Sequence, residues 1–211
     1  MRRPALAFAI LASALALAPA RAGADGHFAL FLGRKSLSAS DWAPVESQQA
    51  GGVVMSFGRD DWPVHIALDL LLSNNDAAIS QSFSVTGSTS ELDLGVRKIW
   101  GLGRVYPYVG GGLARMNVRM SLESHGGPTL RSPLASGDTG PFFLGGDHAF
   151  GYWADTGVLF RAGDHANFGI DVRYSSANVT LNSTSAPFGQ PPAQDVRAAG
   201  LSYGLLIGGA W

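Results

Sequence analysis

The chain predicts an all-β fold, an eight-stranded antiparallel up-and-down transmembrane β-barrel behind an N-terminal signal peptide. Three observations predict it. Apolar and polar residues alternate with period 2 over eight separate segments, the mark of strands with two unlike faces. The connections between these segments alternate between long and tight, as in barrels with long outer loops and short periplasmic turns. The first residues carry the charge, apolar run and small-residue pattern of an export signal.

Residues 1–22 are set aside first. Arg2 and Arg3 precede an apolar run from Leu6 to Ala18, and Ala20-Arg21-Ala22 offers an A-x-A cleavage pattern. The run is too short for a spanning helix, which needs about 20 apolar residues. Residues 23–211 are then the barrel domain. Removing Arg2, Arg3 and Arg21 leaves 12 basic and 16 acidic side chains, a formal charge of −4. That is not the balance of a nucleic-acid-binding protein. With no cysteine, the chain has no disulfide, thiol nucleophile or thiolate metal ligand. Barrel closure supplies the stability instead.

The strands are expected near 27–36, 50–59, 63–73, 90–100, 104–120, 149–161, 166–176 and 196–211. The first connection, Ser38 to Ser47, is moderate, and Arg59 to Trp62 is tight. Asn74 to Thr89 is long and rich in Ser, Asn and Thr, and Gly101 to Gly103 is tight. Ser121 to His148 is long, Ala162 to His165 is tight, and Ala177 to Asp195 is long and polar. With both termini periplasmic, the odd-numbered connections face outward.

The faces divide sharply. Val64, Ile66, Leu68, Leu70 and Leu72 oppose His65, Ala67, Asp69 and Ser73 in the third segment. Leu92, Leu94, Val96 and Trp100 oppose Glu91, Asp93 and Arg97 in the fourth. In the fifth, Met116, Val118 and Met120 oppose Arg115, Asn117 and Arg119. In the sixth, Phe150, Tyr152, Ala154, Val158 and Phe160 oppose Asp155 and Arg161. In the seventh, Phe168, Ile170, Val172 and Tyr174 oppose Asp171, Arg173 and Ser175. In a membrane barrel the apolar face meets lipid and the charged face lines the lumen. Tyr203, Leu205, Ile207 and Trp211 share a face of the last segment, which closes on an aromatic residue. This pattern resembles the C-terminal signal read by the barrel-insertion machinery. Trp62, Trp100, Tyr106 and Tyr108 lie near the tight turns, where aromatic rings favour the headgroup layer.

The stretch Leu92-Asp93-Leu94-Gly95-Val96-Arg97, a turn, then Tyr106-Pro107-Tyr108-Val109-Gly110-Gly111-Gly112-Leu113 resembles the small outer-membrane β-barrel proteins. These include the transmembrane domain of outer-membrane protein A. The resemblance covers the mature chain in layout and implies residence in the bacterial outer membrane. A second stretch, Arg173-Tyr174-Ser175-Ser176-Ala177-Asn178, resembles the His-x-Ser-Asn segment of outer-membrane lipid A deacylases. Arg173 stands where that family has its base, and a guanidinium does not accept a proton at neutral pH. Ser175 then lacks a local activator.

The expected lumen network comprises Asp69, Glu91, Asp93, Asp155 and Asp171 against Arg97, Arg115, Arg119, Arg161 and Arg173. An eight-stranded lumen is just wide enough for side chains to fill, and charges inside it must pair. Five acids against five bases argue against strong ion selectivity. His27, His65, His125, His148 and His165 show no metal-ligand spacing, so no metal or cofactor is expected. The leading functional expectation is a non-enzymatic barrel with a plugged lumen. It would act in envelope integrity, or in surface interaction through segments 121–148 and 177–195. The alternatives are a small pore or conduit for small or hydrophobic molecules, and a lipid A-modifying enzyme. The expected partners are outer-membrane lipid, the insertion machinery and an unidentified ligand of the external loops, with no nucleic acid.

Overall fold

In the computed structural model, residues 25–38, 42–59, 61–80, 83–124, 142–163, 165–181 and 194–210 are described. The expected signal peptide over residues 1–22, Trp211 and residues 125–141 and 182–193 are among those that lie outside them. Eight strands run β1 (Asp25–Leu37), β2 (Ser47–Gly58), β3 (His65–Ser80), β4 (Phe83–Ile99), β5 (Val105–Ser124), β6 (Phe142–Ala162), β7 (Ala166–Leu181) and β8 (Gln194–Ala210). Each pairs antiparallel with the next, and β1 pairs with β8 from His27↔Ala210 to Leu37↔Gly200, closing the barrel. Closure leaves no unpaired strand edge, the condition for putting β-structure in hydrocarbon.

The register sets the geometry. A path at right angles to the strands runs Leu37, Gly200, Ser175, Trp153, Gly112, Gly95, Ala67, Ser56 and back to β1 at His27, ten residues lower. A stagger of that size over eight strands tilts them by about 40° from the barrel axis. Each residue then rises roughly 2.5 Å along the axis.

One end carries the termini and the tight turns. Leu102 N donates to Val105 O at 2.9 Å and Trp100 N to Pro107 O at 3.0 Å, around Gly103 at φ 72°. Gly163 takes φ 71° in the β6–β7 turn. Both positions use the left-handed region open to glycine.

The loop end departs from expectation. The Ser, Asn and Thr segment 74–89 was expected as a long loop, yet most of it is strand, with Asn74↔Ser88 and Asp76↔Thr86 in register up to a bulge at Ala78/Ser80. Likewise β5 runs to Ser124, β6 starts at Phe142, β7 reaches Leu181 and β8 starts at Gln194. Outside the hydrocarbon a strand needs no apolar outer face. Its composition therefore reads as loop while its backbone still pairs.

Outward side chains on the tilted strands form an apolar belt. Leu94 is 56% exposed, Leu113 70% and Phe150 75%. From Trp100 at the turn end to Phe150 at the loop end the belt spans roughly 25 Å along the axis, the height expected of a barrel's lipid-facing band. Inside, two apolar clusters pack beside buried charges. Phe31, Val54, Leu159 and Leu206 belong to one. Met116, Val118, Val179 and Val196 belong to the other, at the loop end.

Candidate functional site

The barrel interior holds the candidate site. Asp69 on β3, Asp93 and Arg97 on β4, Asp155 on β6, and Asp171 and Arg173 on β7 are all buried. Their strands alternate, so every second residue enters the lumen, and the tilt brings these six to neighbouring levels. Arg173, fully buried, donates from Nη1 to Asp93 Oδ2 at 2.6 Å. Its Nη2 donates to Asp69 Oδ2 at 2.5 Å and Asp155 Oδ2 at 3.1 Å. Its Nε lies 3.9 Å from Asp171 Oδ2. Arg97 donates from Nη2 to Asp69 Oδ2 at 2.7 Å and Asp155 Oδ2 at 2.5 Å, and from Nη1 to Ser56 Oγ at 2.8 Å. Asp69 Oδ1 accepts the Met55 amide at 3.0 Å, tying the cluster to the β2 backbone.

Aromatic rings wall these cations. Arg173 lies 4.9 Å from the Trp153 ring, and Arg97 lies 5.3 Å from Tyr108 and 5.6 Å from Trp153. Such faces attract a desolvated guanidinium. Tyr108 also donates its hydroxyl to Asp171 Oδ1 at 2.5 Å. Its ring fits because residue 157 is glycine, where a Cβ would collide with the Tyr108 ring and hydroxyl.

Three expected members of the network lie elsewhere. Arg115 and Arg119 are exposed and point outward, while Ala114, Met116 and Val118 fill the lumen. The rule that apolar residues face lipid holds only within the hydrocarbon, and beyond Leu113 the faces of β5 revert to the soluble pattern. Arg161 sits at the turn end over the Tyr106 ring, at 4.6 Å. Glu91 is buried but pairs with Lys35 of β1, a residue the strand pattern did not single out. The lumen cluster is therefore not balanced. It has five carboxyl groups, Asp69, Glu91, Asp93, Asp155 and Asp171, and three basic groups, Lys35, Arg97 and Arg173.

Lys35 Nζ also donates to Ser175 Oγ at 3.1 Å. Ser175 thus has a basic neighbour, and that amine is paired with Glu91 at the same time. Ser175 is itself fully buried.

The β1–β2 connection covers the loop end of the lumen. Trp42 is fully buried in the loop-end apolar cluster, and its Nε1 donates to Arg197 O at 3.1 Å. Below it Gln48 Oε1 accepts from Ser73 at 2.6 Å and Thr89 at 3.2 Å. Sequence alternation could not find Trp42, because it sits outside any strand. Tyr203, Leu205 and Ile207 of the C-terminal pattern are exposed on the outward face.

A closed eight-stranded barrel with an apolar exterior and charged interior has the architecture of a transmembrane β-barrel. One solved structure agrees on the fold, and two others match with lower scores. Ail, the attachment invasion locus protein of Yersinia pestis, matches over 90% of this chain and 100% of its own, at 9% identity and TM-score 0.52. OprG of Pseudomonas aeruginosa matches over 90% of this chain and 97% of its own, at 13% identity and TM-score 0.49. Neisserial surface protein A matches over 88% and 97%, at 16% identity and TM-score 0.42. No protein-family model matches the chain, and no curated protein matches it.

Proposed function

We propose that this protein is a non-enzymatic outer-membrane barrel with a closed lumen, acting in envelope integrity or in surface interaction through its loop end. The observation that carries this reading is the Arg173 guanidinium, bonded to carboxylates from β3, β4 and β6. A bridge across so many strands ties the wall together and occupies the space an ion would need. Trp42 adds a second obstruction at the loop end. The aromatic and apolar positions Tyr203, Leu205, Ile207 and Trp211 serve the insertion machinery. Segments 121–148 and 177–195 serve a surface ligand. Ail, whose structure was determined with the heparin analogue sucrose octasulfate, suggests a sulfated glycan as one ligand class to test.

The test is single-channel recording in planar bilayers. The closed reading expects no unitary conductance from the wild type. Steady conductance steps that disappear on removal of the protein would overturn it.

A second reading has its own support. The loop-end lumen is filled by Ala114, Met116, Val118, Ala177, Val179 and Val196, an apolar cluster that includes Trp42. A conduit for a small hydrophobic molecule would enter there. Under that reading Trp42→Ala accelerates passage of a small hydrophobic probe into vesicles. Unchanged passage favours the closed barrel.

A further inference from the structure

The outward face of β3, β4 and β5 changes character at one level. Leu72 gives way to Asn74, Leu92 to Ser90, and Leu113 to Arg115. Register sets Leu92 beside Arg115 and Arg115 beside Phe150, while Asn74, Ser88 and Arg119 lie in a row above. A groove of about 410 Å³ opens on this face, lined by Leu72, Asn74, Ser88, Ser90, Asn117 and Arg119 among others. It straddles the border between the apolar belt and the polar loop end.

Arg34, Arg115, Arg119 and Arg197 project outward near the border, and among the strand side chains whose exposure is described Asp76 is the one exposed carboxylate there. Arg115 and Arg119 are exposed, and among the described residues neither has a carboxylate partner. Along the strand their Cα atoms stand about 13 Å apart, within reach of two long side chains converging on one doubly charged ligand.

We propose that this face binds the phosphate groups of an outer-leaflet lipid, gripped by Arg115 and Arg119. The site rests on the outer-membrane reading above. Arginine forks match phosphate oxygens, and Asn74, Ser88, Ser90 and Asn117 add neutral hydrogen-bonding groups. The acyl chains of the same molecule lie on Leu92, Leu113 and Phe150, which are 47%, 70% and 75% exposed. The groove itself is polar apart from Leu72, and Arg115 and the exposed apolar side chains of the belt lie just below it. A soluble anion would use only the polar groove, whereas a phosphorylated lipid meets groove and belt together, and that continuity selects it as the occupant.

The test is native mass spectrometry of the folded protein in detergent. The probes are a bis-phosphorylated acylated glucosamine disaccharide, its dephosphorylated form, and the same phosphorylated disaccharide without acyl chains. The phosphorylated lipid should bind at least about tenfold more tightly than either other probe, a difference within reach of one or two charge-assisted hydrogen bonds. Arg115→Gln/Arg119→Gln should erase that preference, whereas Arg59→Gln, in an exposed turn at the other end, should keep it. Equal binding of the two lipids, or full preference in the double variant, overturns the proposal. Equal binding of the headgroup lacking acyl chains overturns the assignment to a lipid. Gel mobility of the unboiled protein reports separately whether the barrel is folded. Its loss in the wild type would count against the outer-membrane reading itself.

Discussion

Removing the Arg173 guanidinium should cost more stability than any other single change in the lumen. Arg173→Met keeps much of the side-chain volume and leaves the apolar packing on Trp153 available. It also strands Asp69, Asp93 and Asp155, each now within bonding distance of Arg173, and Asp171 at 3.9 Å. Breaking a buried ion pair by deleting one partner costs about 3–5 kcal/mol, because the remaining charge is left uncompensated. Arg97 still contacts Asp69 and Asp155, so the loss concentrates on Asp93 and Asp171. We therefore take the middle of that range, ~4 kcal/mol. With a urea slope of about 2–3 kcal/mol per molar, the unfolding midpoint falls by roughly 1.3–2 M. The assay is urea unfolding of the refolded protein in detergent, followed by tryptophan fluorescence and by the fraction of heat-shifted band on gels. The companion Arg173→Met/Asp93→Asn should recover part of the loss, because it removes a stranded charge. A midpoint shift below about 0.3 M for Arg173→Met, equivalent to less than 1 kcal/mol, would refute the account of a cluster that ties the strands together.

Three further outcomes follow from the same geometry. Tyr108→Phe removes the donor to Asp171 and should lower stability by about 1–3 kcal/mol in the same urea assay, the cost of an unsatisfied buried acceptor. Gly157→Val forces a side chain into the space of the Tyr108 ring and should cost about 1–3 kcal/mol, readable as an earlier midpoint. Leu94→Arg places a charge midway up the lipid-facing belt and should cost about 2–4 kcal/mol in lipid vesicles, whereas Ser90→Arg at the border should cost about 0–1 kcal/mol. Equal costs at the two positions would mean that the outer face does not cross a depth gradient.

Much of this was legible before any coordinates. In β3, β4, β6 and β7 the alternation runs through most of the hydrocarbon zone, interrupted by Lys98 on the outer face of β4 and Leu71 on the inner face of β3. Leu94 beside Asp93 and Val172 beside Arg173 therefore declared their faces. The tight turns at Gly103 and Gly163 were likewise visible as Gly-containing breaks. Arg115 and Arg119 were misplaced for a physical reason. Polarity assigns a face only relative to the medium, and at Leu113 the medium outside β5 changes from lipid to water. Strict parity from Leu113 would have put Arg115 outward, but the run Met116, Val118, Met120 pulled the assignment the other way. The extended ends of β3 and β4 were missed because Ser, Asn and Thr on both faces carry no period. Lys35 and Trp42 depend on which strands meet across the lumen and on how the first connection folds over it. Both are tertiary facts that local alternation does not encode.

The central claim is that the apolar face meets lipid while the charges are enclosed, and lipid-phase quenching tests it most directly. The chain has no cysteine, so Leu94→Cys can carry a single environment-sensitive fluorophore. In vesicles containing brominated lipid the account predicts strong quenching at Leu94 and weak quenching at Ser88→Cys, beyond the belt. A label at Leu94 that brominated lipid leaves unquenched would mean that the exposed apolar face packs on something other than membrane.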